Sequence, residues 1–395
     1  MASRAQRLGM AATIGLVFGL GTFGACSRDK PYGPPQNSAG GSSGEGGQGG
    51  DLLPQDDGGP PPLDAQGLCG NQLHTVLFDA PNVYFVIDAS GSMSLQAKGG
   101  SSRYSLVRGA AIDLVQALGP LINVGAAVFP LDATDDDPCA TGAQIMAVAP
   151  GDPYTGADGP TTKQFKAALK RTPNGGTPTA ATLEELLPEI AALPGKTLVL
   201  LVTDGGPNCN PNLTCDGAHC GLNVDDCTGL ACCVPGGNCC DQPGGATACI
   251  DADATVSAVS GFASAQIPVY VIGIPGSGAF ADVLQQMALA AGTAQLAKPY
   301  YYAVDDIDNL QSVLGGIAAV AVSCVFQIDD PPAVDDQTNV YLDGVVLPNG
   351  GDDGWRWMDP DLTRIELLGD ACARLKAGQI KTVQIVSGCP TEPSK

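Results

Sequence analysis

Five oxygen-bearing residues stand where apolar runs or helical patterns begin or end. Asp88, Ser90 and Ser92 occupy alternate positions of DASGS, directly after the run NVYFVID at 82–88. Thr177 lies in the loop GGTPT, which opens a helical pattern, and Asp204 follows the run TLVLLVT in the step TDG. Carboxylate and hydroxyl oxygens without nitrogen or sulfur donors suit a hard divalent cation. Magnesium fits first, since it keeps several of its waters, and manganese or calcium are the alternatives. A lone Asp-x-Ser-x-Ser spacing is weak. Its place at the end of a buried strand, where a doubly wound sheet presents its ligand crevice, gives it weight.

Other chemistries lack their residues. The chain has two histidines, His74 ahead of the first long apolar run and His219 in a cysteine-rich stretch, so a histidine-dependent triad is not expected. Ser90 has no G-x-S-x-G elbow around it. Neither G-x-G-x-x-G nor a Walker loop occurs, which leaves no nucleotide site. Forty-one acidic residues against 19 basic ones give a formal charge of −22, which repels phosphate backbones and argues against nucleic acid as a partner. We therefore expect a binding protein rather than an enzyme.

The elements that must position these residues follow from the apolar pattern. With 395 residues, 44% of them hydrophobic and 15% charged, the chain is long enough for a large domain and a smaller one. Between 69 and 324, continuous β-branched runs at 82–88, 123–129, 197–203 and 268–274 alternate with helical spacing at 103–118, 179–193, 252–265, 280–291 and 307–320. A strand at 300–304 and an edge strand at 144–148 complete the expectation. The predicted fold is α/β, a doubly wound and mostly parallel sheet of six strands.

DxSxS after the first strand, a threonine in a Gly-rich loop and an aspartate after a later strand together resemble the metal-ion-dependent adhesion site of von Willebrand factor type A domains. The likeness covers 69–324 apart from the cysteine-rich stretch. It implies that Ser90, Ser92 and Thr177 supply hydroxyl ligands, while Asp88 and Asp204 act mainly through coordinated water. It also implies a protein partner whose acidic side chain completes the coordination, so that the cation bridges the two. A cation that only braces the loops, or a metal-dependent hydrolase, are the alternatives.

The segment 207–249 breaks the α/β pattern with nine cysteines among Gly, Asn and Asp, and reads as a disulfide-stapled insertion. Because it follows Asp204, it is expected on the cation-bearing face. A zinc cluster beside His219 would be the other use of these sulfurs, but the irregular spacing favours disulfides. From chain position, Cys69 is expected to pair with Cys324 and Cys372 with Cys389, with Cys139 joining the insertion. Residues 325–395 carry short strand-like runs and read as a small β-rich C-terminal module. There Trp355 and Trp357 would share one face of a strand and fill a small core.

The first 26 residues read as an export signal, with Arg4 and Arg7 ahead of an uncharged stretch that ends in Phe23-Gly24-Ala25-Cys26. The stretch resembles a bacterial lipoprotein signal, although Phe23 stands where that family has an aliphatic residue. The resemblance implies that Cys26 becomes a lipidated N-terminus holding the protein to a membrane. An uncleaved anchor or simple secretion are the alternatives. Residues 27–68, dominated by Gly, Pro, Ser, Gln and Asp, read as a disordered tether. Fifteen cysteines point the same way, to an oxidising compartment. The expected location is the outer membrane or cell surface of a bacterium, with the periplasmic face as the alternative.

Overall fold

The computed structural model describes residues 72–393 except 98, 225–236, 243, 307 and 308. The expected signal, Cys26, the tether and Cys69 lie outside the described residues.

Two short strands, β1 (Gln72–His74) and β2 (Val76–Leu77), precede β3 (Asn82–Asp88), in which every residue is buried. Then come α1 (Arg103–Leu118), β4 (Asn123–Phe129), β5 (Ala143–Pro150), α2 (Pro160–Ala168), α3 (Thr179–Ala191) and β6 (Thr197–Thr203). A short α4 (Gly221–Val224) lies in the insertion, followed by α5 (Ala252–Ser264), β7 (Val269–Gly273), α6 (Ala281–Ala290), β8 (Tyr302–Ala303) and α7 (Leu310–Ala321). These strands form a six-stranded sheet in the order β5-β4-β3-β6-β7-β8, parallel except for the antiparallel edge strand β5.

A parallel sheet must be covered on both faces, and alternate strand residues sort accordingly. Val83, Phe85 and Ile87 join a core with α1 and α7 residues such as Val107, Leu114 and Leu314. Tyr84 and Val86 point the other way, into a core with Leu183 of α3, Phe262 of α5 and Leu284 of α6. Strand order reverses at β3: its chain successor is β4, while β6 lies on its other side. In a sheet whose strand order reverses, the ligand crevice is expected outside the carboxyl ends of the strands at the reversal, here β3 and β6.

α2 has no strong apolar pattern, because only Thr161, Thr162 and Phe165 are buried along it. Its start is secured instead by Asp152, whose carboxylate accepts from the backbone N–H of Thr161 at 3.1 Å and of Thr162 at 2.7 Å. These bonds hold the Asp152 carboxyl below the usual carboxylate range against the opposing effect of desolvation.

Beyond α7 the chain adds β9 (Val325–Ile328), β10 (Thr338–Leu342), β11 (Val345–Leu347), β12 (Trp355–Trp357), β13 (Arg364–Leu367), α8 (Gly369–Lys376) and β14 (Val383–Ser387). They build two four-stranded antiparallel sheets, β1-β14-β10-β11 and β12-β13-β9-β2. The boundary expected at 325 is crossed twice. β1 and β2, from the other side of the α/β unit, pair with β14 and β9. Phe326, Trp355, Ile365 and Ile385 also belong to the same hydrophobic core as α1 and α7. Trp355 is fully buried and stacks edge-on with the half-buried Trp357, ring centres 5.4 Å apart. Its indole N–H reaches the carbonyl of Leu347 at 3.1 Å.

The disulfides correct the expected pairing. Cys324 is bonded to Cys372, which excludes both Cys69–Cys324 and Cys372–Cys389. The reason is packing: α8 follows β13 directly, and Leu367 at the end of β13 bonds the Cys324 carbonyl through its N–H at 2.9 Å, so Cys372 in α8 comes within 5.5 Å of Cys324, Cα to Cα. Cys389 is also disulfide-bonded. Cys139 pairs with Cys209, the first cysteine of the insertion.

Candidate metal centre

The site is built at the crevice between β3 and β6. β3 delivers Asp88 at its last residue, and the backbone N–H of Ser90 turns back to bond Asp88 Oδ1 at 2.8 Å. This closes a tight turn that sets Ser90 and Ser92 side by side, their Oγ atoms 3.0 Å apart. Ser92 Oγ then donates to Asp204 Oδ1 at 2.8 Å, bringing the loop after β6 to the loop after β3. The second Asp88 oxygen accepts from Thr203 Oγ1 at 2.6 Å.

Thr177 arrives on the loop between α2 and α3. That loop is sewn to the DASGS turn by Asn174 N–H to Ala89 O and by Gly91 N–H to Gly175 O, both 2.9 Å. Gly175 has a left-handed φ of 84°, and a Cβ there would lie 2.5 Å from the Pro138 carbonyl, so only glycine fits that step. Thr177 itself is buried.

The residues expected from sequence are thus gathered by three loops at one end of the sheet. Asp88, Ser90 and Asp204 are at most 1% exposed, while Ser92 is half-buried at the mouth. Burial, and then the charge of Asp204, push the Asp88 carboxyl up to about 7, against the pull of hydrogen bonds from Ser90 and Thr203. Two desolvated carboxylates close together, flanked by hydroxyls, are a donor set that a hard cation relieves. The residues present therefore fit the divalent cation that the motif implies, for which Ser90, Ser92, Asp88 and Asp204, with Thr177 on the adjoining loop, would supply the oxygens.

Three residues absent from the expected set take part. Thr203 anchors Asp88 from the neighbouring strand. Asn208 opens the insertion and grips Thr177 on both sides: its Oδ1 accepts from Thr177 N–H at 2.7 Å, and its own N–H donates to the Thr177 carbonyl at 2.9 Å. Arg103 donates from Nη1 to Asp204 Oδ2 at 2.6 Å. The signal for Asn208 was available, since Asx side chains bind nearby backbone in loops. Arg103 carried none beyond opening α1.

The insertion is fixed against this face. The Cys139–Cys209 disulfide ties it to the loop before β5, and that loop in turn accepts from Gly176 N–H through the Pro138 carbonyl at 2.7 Å. Within it, Cys215–Cys249 and Cys220–Cys240 are disulfides. Cys215, Cys240 and Cys249 cluster closely, but as disulfide sulfurs they cannot serve zinc as thiolates. Cys227, Cys232 and Cys233 lie outside the described residues.

No family model matches the chain, and no curated protein does. Among solved structures, the chain is similar to the PilB minor pilin of Streptococcus sanguinis, with 18% identity, coverage of 61% of this chain and 60% of that one, and a TM-score of 0.41. It thus spans about 60% of that pilin's length. It is also similar to the vWF domain of the type V pili tip protein Mfa5 from Porphyromonas gingivalis, at 13% identity, 62% and 95% coverage and a TM-score of 0.40. A third similarity is to manganese-loaded Plasmodium vivax TRAP protein, at 14% identity, 67% and 87% coverage and a TM-score of 0.36. All three similarities are distant.

Proposed function

We propose that this protein binds an acidic partner protein through a divalent cation held at the crevice between β3 and β6. The observation that carries the reading is the Ser90–Ser92–Asp204 chain of contacts, 3.0 Å and 2.8 Å long, which joins oxygen donors from two strand ends into one cluster. Ser90, Ser92 and Thr177 would hold the cation directly, with Asp88 and Asp204 behind them. Bound there, magnesium or manganese supplies an electrophilic centre for an external carboxylate.

The reading is of capture rather than turnover. His74 is engaged with Ser387 Oγ at 2.8 Å and with the Asp330 carbonyl, and His219 with Asp216, so neither histidine is bonded into the site. The disulfides favour an exported protein, and the motif at Cys26 favours a lipid-tethered one at the cell surface. A role in adhesion or envelope assembly follows from that placement.

Burial favours a second reading. With Asp88, Ser90 and Asp204 almost fully covered, a cation could brace the loops and bind nothing outside. Calorimetric titration of the purified protein with Mg²⁺, Mn²⁺ and Ca²⁺, beside an Asp88→Ala, Ser90→Ala, Ser92→Ala variant, tests the site. Binding lost in a variant that stays folded supports it, and no cation binding by the native protein sinks it. A soluble acidic peptide retained only when the cation is present separates capture from bracing.

A further inference from the structure

We propose that Arg103 makes cation loading and carboxylate capture at this site mutually dependent, by acting as a built-in countercharge on Asp204. The inference rests on the cation-binding reading above. Arg103 Nη1 donates to Asp204 Oδ2 at 2.6 Å; the Asp204 side chain is fully covered and that of Arg103 is 18% exposed. The other Asp204 oxygen is occupied by Ser92, so the guanidinium and the proposed cation share one carboxylate from its two ends.

The guanidinium is held in place. Arg103 is the first residue of α1, whose start is capped by Ser102 Oγ accepting from Ser105 N–H at 3.1 Å. It also lies against Gly276, in the loop after β7. A Cβ there would come within 2.6 Å of Arg103 Nη1, and Gly276 has a φ of +115° that side chains disfavour. The loops after β3, β6 and β7 therefore meet at this one side chain.

Arginine cannot shed its charge at any pH the protein meets, so it always offsets one of the two carboxylates. Asp88 and Asp204 as carboxylates, with Arg103, leave one net negative charge. A divalent cation turns that into one net positive charge, in surroundings that screen it poorly. One incoming carboxylate restores neutrality. Were Arg103 neutral, the cation alone would balance the two aspartates and an external carboxylate would be surplus. The native site is therefore a weak cation site by itself and a strong one when an acidic group arrives, and the dependence is reciprocal.

The test is calorimetric titration of the full protein with Mn²⁺ at pH 8, with and without acetate as the carboxylate probe, for the native chain, Arg103→Gln and Arg103→Lys. Acetate should tighten Mn²⁺ binding to the native protein. Arg103→Gln should bind Mn²⁺ about tenfold tighter without acetate, within the usual span of coupling energies, and gain nothing from it. Arg103→Lys, which keeps the charge, should behave as native does. If acetate leaves native Mn²⁺ affinity unchanged or weakens it, the inference is overturned whatever the variants do, even should Arg103→Gln fail to fold. If Arg103→Gln binds Mn²⁺ no tighter than native while native responds to acetate, Arg103 only positions Asp204 and the inference falls alone. If no form binds Mn²⁺ with or without acetate, the cation-binding reading itself fails and takes the inference with it.

Discussion

Thr203 donates its hydroxyl to Asp88 Oδ2 at 2.6 Å, across 115 residues of sequence. The bond ties the carboxyl ends of β3 and β6 where strand order reverses, and the same hydroxyl accepts from Gly205 N–H at 3.2 Å, shaping the turn that presents Asp204. Thr203→Val keeps the shape of the side chain and removes both interactions. Hydrogen bonds to charged groups contribute about 1.5–3 kcal/mol. Urea unfolding of the cation-free variant should show a loss of that order, and its cation affinity should fall. Unchanged stability would mean that the Asp88 carboxylate is held by its own turn alone.

The raised Asp88 carboxyl sets a pH dependence whose sign is fixed. Its usual value is 3.8 and it is pushed up to about 7 in the folded protein, so between these values the folded state binds more protons than the unfolded one. Cation-free stability attributable to this group is fully present below pH 3.8 and is lost as pH rises through about 7. A cation competes with the same proton, so its affinity should rise over that window and its binding should release protons. Titrations at pH 5.5 and pH 8 in buffers of different ionisation enthalpy check both. Equal affinity at the two pH values would remove Asp88 from the binding step.

Asn208, near the start of the insertion, hydrogen-bonds the site loop through its side chain. Asn208→Ala leaves the buried N–H of Thr177 without its acceptor, at a cost of about 1–3 kcal/mol. Cation affinity should drop roughly tenfold, the equivalent of about 1.4 kcal/mol, while the far-ultraviolet circular dichroism stays native. Affinity equal to native would show that the Cys139–Cys209 bridge places Thr177 without help.

The Cys324–Cys372 bridge spans 48 residues and ties the end of the α/β unit to α8. For a loop of that length, chain entropy alone assigns about 4 kcal/mol to the bridge. A Cys324→Ser, Cys372→Ser variant should unfold at clearly lower urea concentration, with cation affinity near native because the bridge is remote from the crevice. Peptide mapping of the native protein should recover the Cys324–Cys372 pair, and finding Cys372 joined to Cys389 would refute the packing described for α8.

How much was legible depended on how local the cause was. The strands at 82–88, 123–129 and 197–203 begin and end where their apolar runs do, because a strand buried on both faces writes its own limits in consecutive residues. α1 was equally plain, while α2 escaped because its cap, Asp152, lies eight residues ahead of its first turn and its buried face is one phenylalanine and two threonines.

By itself, then, the sequence determined the sheet's central strands and marked Asp88, Ser90, Ser92, Thr177 and Asp204 as candidate donors, since each follows an apolar run or precedes a helical pattern. The tertiary structure decided which charges and sulfurs meet. Arg103 finds Asp204 across 101 residues, β1 finds β14 from the opposite end of the chain, and Cys324 finds Cys372 rather than an earlier partner. Such pairings depend on which way each loop turns as it leaves the sheet. That direction is set by how helices and the two antiparallel sheets share one core, which no short stretch of residues encodes.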